Sequence, residues 1–280
     1  MMINPDQLKE IALAALRISY QVHQRLGAEG EQSVKKNQFG ETALKMDIEA
    51  EKVIIDTLRK AQVPIRIITE EHGVIEIGNN PEYLGILDGL DGSEVYKKKR
   101  GEGRYGTMLG IFSGIDPKYQ DYIFSGIMEH STRRLFYAVK RGGSFMELDG
   151  KPVRVHCSDC RELNERTRIY VDNSFDINRD IFSARLKEFQ VRILGSSAAY
   201  YADLAEGSVD LVLECTRKGN LEIAVSYGLE TESGGVMLTL DGQSLGTRHY
   251  SKFGRDIHVP VVSASTRELA EDLIKHVGQK

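Results

Sequence analysis

Apolar residues near the start of the chain fall at helical spacing. Ile11, Ala15, Ile18 and Val22 recur along one face, Asn4-Pro5 offers an N-cap and a first-turn proline, and Gly27 ends the run. A second helix is predicted from about Asp47 to Ala61, with Ala50, Val53, Ile54 and Leu58 facing inward. The polar segment EQSVKKNQFGETALKMD between them reads as a loop or a hairpin. Short β-branched and aromatic runs follow: IRIIT, YLGIL, TMLGIFSG, YIFSGIME and RLFYAVK. The turn signals RGGS and LDGKPV come after them, so the first half predicts two helices and a run of mainly antiparallel strands.

From about residue 151 the pattern alternates. RIYV, VRILG, VDLVLE and VVSAS read as strands; DINRDIFSARLKEF, SSAAYYADLAEG, NLEIAVSYGLETES and TRELAEDLIKHV read as helices. Such alternation predicts a sheet covered by helices. A division near residue 150 is therefore expected, into an N-terminal α+β half (1–150) and a C-terminal α/β half (151–280). No proline- or serine-rich linker separates them, which predicts close packing.

Composition narrows the function. The chain has 280 residues, 41% of them hydrophobic and 28% charged, as in an ordinary globular protein. A formal net charge of -4 gives no general attraction to nucleic acid or an anionic membrane, so an anionic substrate needs local positive groups or metal ions. No apolar run reaches bilayer length, and MMINPDQLKEIALAAL lacks the features of a secretory signal. Cys157, Cys160 and Cys215 cannot form a disulfide framework, and a reducing cytoplasm is expected.

The chemistry is concentrated in ILDGLDGSEVY. Asp88 and Asp91 follow a short apolar run, and Gly92-Ser93 comes next. A second acidic pair, Glu70-Glu71, follows IRIIT, and Glu222 stands near a helix start. Carboxylates gathered at strand ends repel one another unless a cation neutralises them, and hard oxygen ligands of this kind suit magnesium. Glycine lets backbone approach a ligand, and successive N–H groups on a tight turn attract anions. Together these parts suit metal-assisted phosphate ester hydrolysis. Asp-Gly pairs are also common in plain turns, and a double glutamate is often only a solvated face.

The order of the pieces decides between these readings. Asp47, Glu70-Glu71, Asp88-Gly-Leu-Asp91-Gly-Ser93, Gly195-Ser-Ser-Ala, and Glu222-Ile-Ala with Glu-Ser-Gly-Gly downstream resemble the inositol monophosphatase family over nearly the whole chain. The resemblance implies an alternating α-β-α-β-α sandwich, a homodimer, and two or three Mg2+ ions. It implies metal ligation by Glu70, Asp88, Asp91, Glu222 and the backbone carbonyl of Leu90. It also implies phosphate binding at Gly92 and Ser93, water orientation by Asp47 with Ser93, and a basic residue, Lys36, near a third ion. Two positions depart from the family. Gly89 stands where proline is usual, which is expected to loosen the turn, and Leu221-Glu222 replaces a Trp-Asp pair in a chain without tryptophan.

Substrate choice is expected around the mouth of the site, at Gly195, Ser196, Glu214, Arg217 and Lys218. Arg217 and Lys218 suit a second phosphate, aided by the basic run KKKRGEGR, so fructose 1,6-bisphosphate is the favoured substrate. Inositol 1-phosphate and then a 3'(2'),5'-bisphosphate nucleotide are alternatives. Ser196 and Ser197 serve equally well as helix caps. The altered Leu221-Glu222 pair raises a reading of another class, a non-catalytic sensor of phosphate ligands. GEGRYG lacks the strand-before and helix-after context of a dinucleotide site. The single pair Cys157 and Cys160 and the scattered histidines suggest no zinc or acid–base centre.

Overall fold

The computed structural model describes residues 3–217 and 219–278. The first helix, α1 (Pro5–Leu26), begins at Asn4, whose side chain accepts from the Gln7 N–H while Gln7 bonds back. The polar segment forms a hairpin of β1 (Ser33–Lys36) and β2 (Thr42–Leu44) and leads into α2 (Lys45–Lys60). Next come β3 (Ile65–Thr69), β4 (Val74–Ile77), β5 (Tyr83–Asp91), α3 (Ser93–Lys99) and β6 (Gly106–Ser113). The sheet continues through β7 (Tyr122–Glu129), β8 (Arg134–Val139), β9 (Gly143–Leu148) and β10 (Lys151–Val155). The rest of the chain alternates: β11 (Arg168–Val171), α4 (Asp176–Arg185), β12 (Gln190–Arg192), α5 (Ser197–Ala205), β13 (Leu211–Cys215), α6 (Leu221–Ser233), β14 (Val236–Thr239), β15 (Pro260–Ala264) and α7 (Arg267–Gly278).

An eight-stranded sheet runs β10-β9-β8-β7-β6-β5-β3-β4, antiparallel except for the β3–β5 pair. A five-stranded mixed sheet runs β12-β11-β13-β15-β14. Helices α1 and α2 cover one face of the large sheet, α5 and α6 lie between the sheets, and α4 and α7 cover the outside of the small sheet. This is the α-β-α-β-α layering expected. Helix α6 is almost wholly buried, and Ile223, Ala224 and Val225 make its first turn apolar on several sides. The central core takes Phe112, Phe136 and Tyr122 from one half and Tyr200, Tyr201 and Val261 from the other. The division near residue 150 falls on the turn between β9 and β10, and the change of sheet comes after Val155.

Several elements differ in extent from their sequence pattern. VRILG forms a strand only at Gln190–Arg192, and the helix expected through Phe189 stops at Arg185. Strands β4, β9, β10 and β14 have no counterpart in the sequence reading: β4 (VIEI) and β14 (VMLT) have only four residues each, and β9 and β10 begin inside the turn signals RGGS and LDGKPV. The basic run Lys97–Lys99 ends a helix, α3, and is not a bare loop.

Candidate active site

Asp88 and Asp91 lie within β5, which runs through them and does not end at Leu87. Residues three apart on a regular strand face opposite sides of a sheet. Here Asp88 pairs with Met108 and Asp91 with Gly106, so Gly89 and Leu90 together oppose Thr107. That extra residue is a bulge, and it brings both carboxylates to the same side. The Thr107 hydroxyl donates to the Gly89 carbonyl at 2.7 Å and fixes the bulge. Gly89 does not loosen this turn: an added Cβ would strike the Asp47 carbonyl and stand 2.9 Å from Glu51 Cγ, so its lack of a side chain lets α2 pack directly on the bulge.

A narrow cleft of about 60 Å3 gathers Glu70, Asp88, Leu90, Asp91, Gly92, Ser93, Arg217 and Glu222, with Phe39 and Glu41 at its edge. Carboxylate oxygens of Asp88, Asp91 and Glu222 lie within 4.8 Å of one another. All three are nearly fully buried. Burial, with repulsion from Glu70 and Asp91, holds the Asp88 carboxyl well above its usual range. Burial raises Asp91 and Glu222 as well, opposed in each case by the Arg217 guanidinium. Glu70 is raised by burial and by repulsion from Asp47 and Glu222. Such a group of hard, mutually repelling oxygens fits a divalent cation, which would offset the repulsion.

The supports are as informative as the ligands. Asp91 Oδ2 accepts from the Ser196 hydroxyl and, at 2.7 Å, from the Ala198 N–H, so the start of α5 fixes it. Ser196 is thus fully buried behind Asp91 and also caps α5. Gly92 adopts φ +83°, and an added Cβ would lie 2.8 Å from Ser196 Cβ. Ser93 opens α3, whose first-turn N–H groups have no intrahelical partners. Its hydroxyl donates to the Leu90 carbonyl at 3.3 Å. Asp47 is buried behind Glu70, and its Oδ2 accepts from the Leu44 N–H at 2.8 Å. Among the described residues no hydrogen bond joins Asp47 to Ser93.

Glu214 is buried on β13; it accepts from the Ser197 hydroxyl, and burial pushes its pKa to about 8. Arg217 donates to Asp172 Oδ2 at 3.1 Å and stands 3.6 Å from Glu222 Oε1. Gly195 lines an adjoining cavity of about 740 Å3, which also takes in Ser93, Lys98, Lys99, Arg104, Ile193 and Arg217. Lys36 is exposed, bonded to Thr42, and outside the lining of the cleft. Lys218 lies outside the described residues.

Two supporting residues escaped the sequence reading. Glu51, fully buried on α2, accepts from the N–H groups of Glu70 (2.9 Å), Glu71 (3.0 Å) and His72 (3.1 Å). Its signal was available: it lies four residues after Asp47, on the same helix face. Asn37 donates to Glu70 Oε1 at 3.0 Å and accepts from the Phe39 and Glu41 N–H groups, folding the hairpin over the cleft. Nothing in its polar neighbourhood distinguishes it in advance.

Comparison with known proteins bears on the family and the fold. The model of the inositol monophosphatase family matches residues 4–280. The chain is 27% identical over 240 residues to the bifunctional NADP phosphatase/NAD kinase of Methanocaldococcus jannaschii, covering 77% of this chain and 41% of that protein. It therefore spans about two-fifths of that relative's length. It is 26% identical over 220 residues to the fructose-1,6-bisphosphatase/inositol-1-monophosphatase of Methanothermobacter thermautotrophicus, with 73% of each chain covered. Among solved structures, Thermotoga maritima IMPase matches with a TM-score of 0.77 at 20% identity, covering 97% of this chain and 96% of that one, which shows the shared fold.

Proposed function

Because the chain belongs to the inositol monophosphatase family, we propose that it is a magnesium-dependent phosphatase of a small phosphate ester bearing a second anionic group. Fructose 1,6-bisphosphate is the first candidate. The observation that carries this reading is the Asp88, Asp91 and Glu222 cluster opening beside a roomy cavity edged by Lys98 and Lys99. With Arg217 turned toward Asp172 and Glu222, Lys98 and Lys99 support this reading as described cations that line the cavity where a second phosphate would sit. Lys98 also pairs with Glu94 at 2.8 Å, an exposed contact that a phosphate can displace.

A bound Mg2+ would offset the carboxylates, draw charge from the phosphoryl oxygens and make water more acidic. The chain's own part begins with Glu70. Glu70 lines the cleft beside Asp88 and would share the cation with it. Asp47, buried behind Glu70, and the Ser93 hydroxyl on the cleft wall are the groups assigned to orienting the attacking water. The first N–H groups of α3, with Gly92 leaving room beside them, receive phosphoryl oxygens. Solvent from the large cavity protonates the departing alkoxide.

The size of that cavity favours a second reading. About 740 Å3 with Ile193 and Leu194 on one wall has room for a nucleotide, and a relative is named as an NADP phosphatase. Phosphate release in Mg2+ should be compared for fructose 1,6-bisphosphate, inositol 1-phosphate, adenosine 3',5'-bisphosphate and NADP. The highest kcat/KM on the sugar bisphosphate supports the first reading, and the highest on NADP moves the assignment to the nucleotide. Release from none of the four defeats both.

A further inference from the structure

A separate cavity of about 450 Å3 lies among the end of α1, the segment after α3 and the turn between β7 and β8. It shares no lining residue with the cleft or with the cavity beside it. Aromatic rings form much of its wall. Tyr20, His23 and His130 stack nearly parallel, His23 and His130 at 4.8 Å and 6°, and Tyr105 stands 5.6 Å from His23. The tautomer of His130 follows from its neighbour. The Thr107 hydroxyl spends its one proton on the Gly89 carbonyl, so at 2.9 Å from His130 Nε2 it can only accept. His130 therefore carries its proton on Nε2 and leaves Nδ1 as a bare acceptor. That atom is buried without a hydrogen-bond partner, in a residue only 2% exposed. Burial holds His130 well below the usual histidine pKa and lowers His23 to about 4, so both rings are neutral near pH 7. The Ser131 hydroxyl and His23 Nδ1 are also buried without partners. Unpaired buried polar atoms are rare in folded chains, and three on residues lining one cavity point to an occupant.

The rim supplies charge. Among the described residues Arg100 and Arg133 line the cavity and no carboxylate does, in a chain whose net charge is -4. Arg100 is held by Glu31 at 2.7 Å. Arg133 is exposed in the turn at φ +61°, and among the described residues its guanidinium has no ion pair or hydrogen bond. It is free to turn aside for a guest and then to pair with it. We propose that this cavity is a binding site for a small planar organic anion carrying an O–H or N–H donor, the donor meeting His130 Nδ1 and the anionic group meeting Arg133. A flat guest suits the ring walls, its negative charge suits the arginines, and its donor supplies what the bare ring nitrogen lacks. The inference stands apart from the phosphatase reading above.

The test is calorimetric titration of the full chain with 4-hydroxybenzoate, with benzoate, which lacks the donor, and with 4-hydroxybenzyl alcohol, which lacks the charge. 4-Hydroxybenzoate is expected to bind with a Kd below about 1 mM, and each control at least about tenfold more weakly. Arg133→Gln, at an exposed turn position, should weaken 4-hydroxybenzoate at least about tenfold, whereas Lys98→Gln, beside the cleft, should leave it unchanged. Ser131→Ala should weaken it about threefold or more and keeps the inference testable if Arg133→Gln does not fold. The 15N resonance of His130 Nδ1 should move on adding 4-hydroxybenzoate and stay in place with benzoate. No binding below about 10 mM leaves the unpaired atoms to ordered water and overturns the inference. Binding that survives Arg133→Gln but is lost in Lys98→Gln places the anion beside the cleft and overturns it too. Equal affinity for benzoate removes the donor requirement and does the same.

Discussion

Glu51 is the support whose removal should be felt most widely. Its carboxylate accepts three backbone N–H groups from the Glu70–His72 turn and lies 2.7 Å from His72 Nδ1. Glu51→Gln keeps size and shape but turns one oxygen into a donor facing the His72 N–H. One buried N–H then loses its acceptor, at about 1–3 kcal/mol. The two remaining bonds fall from charge-assisted to neutral strength, at about 1 kcal/mol each. The sum is about 3–5 kcal/mol, which at about 2–4 °C per kcal/mol lowers Tm by roughly 6–20 °C. Because the turn presents Glu70, a displacement of about 1 Å should also lower kcat by about 10- to 100-fold. The assays are a metal-free thermal melt and initial rates at saturating Mg2+. A Tm within about 1 °C of wild type would refute the bonding argument. A lowered Tm with unchanged kcat would refute the claim that this carboxylate positions Glu70.

Gly89→Ala should destabilise by about 1–3 kcal/mol and lower activity, because the new methyl group drives α2 off the bulge; a melt and a rate measurement check both. The pH dependence of stability should be inverted relative to that of an ordinary surface acid. Burial raises the Glu214 pKa in the folded chain from the ordinary 4.5 to about 8, and Asp88 and Glu70 shift the same way, so the folded chain holds more protons than the unfolded one across that interval. Their contribution is fully present below about pH 4.5 and is lost as pH rises toward 8, so metal-free Tm should fall over that range. Mg2+ competes with protons for these carboxylates and should raise Tm more at pH 8 than at pH 5. A Mg2+ increment independent of pH would count against the cluster as its site.

The layers and the order of the acids were legible in the chain. Helix α1 declared itself through its cap and period, and the acids through their place after apolar runs. What could not be read is geometry set by contacts distant in sequence. The bulge at Gly89-Leu90 exists only against β6, so the sequence suggests a turn after Leu87 where the strand continues. Ser196 reads equally as a helix cap or a ligand contact; its position behind Asp91 depends on packing between residues 105 apart. Arg217 looks like a free cation beside the site because its partner Asp172 is 45 positions away. Short β4 and β14 carry too few residues to show a period, and they form because neighbouring strands offer an edge.

The most direct test of the central claim is Mg2+-dependent phosphate release by wild type and Asp91→Asn, on whichever of the four esters turns over fastest. Asparagine keeps an oxygen for the Ala198 N–H, so a thermal melt should show the variant folded. The account predicts release that requires Mg2+ and falls at least about 100-fold in the folded variant. Release that persists without a divalent cation, or stays within a few-fold of wild type in Asp91→Asn, would contradict it.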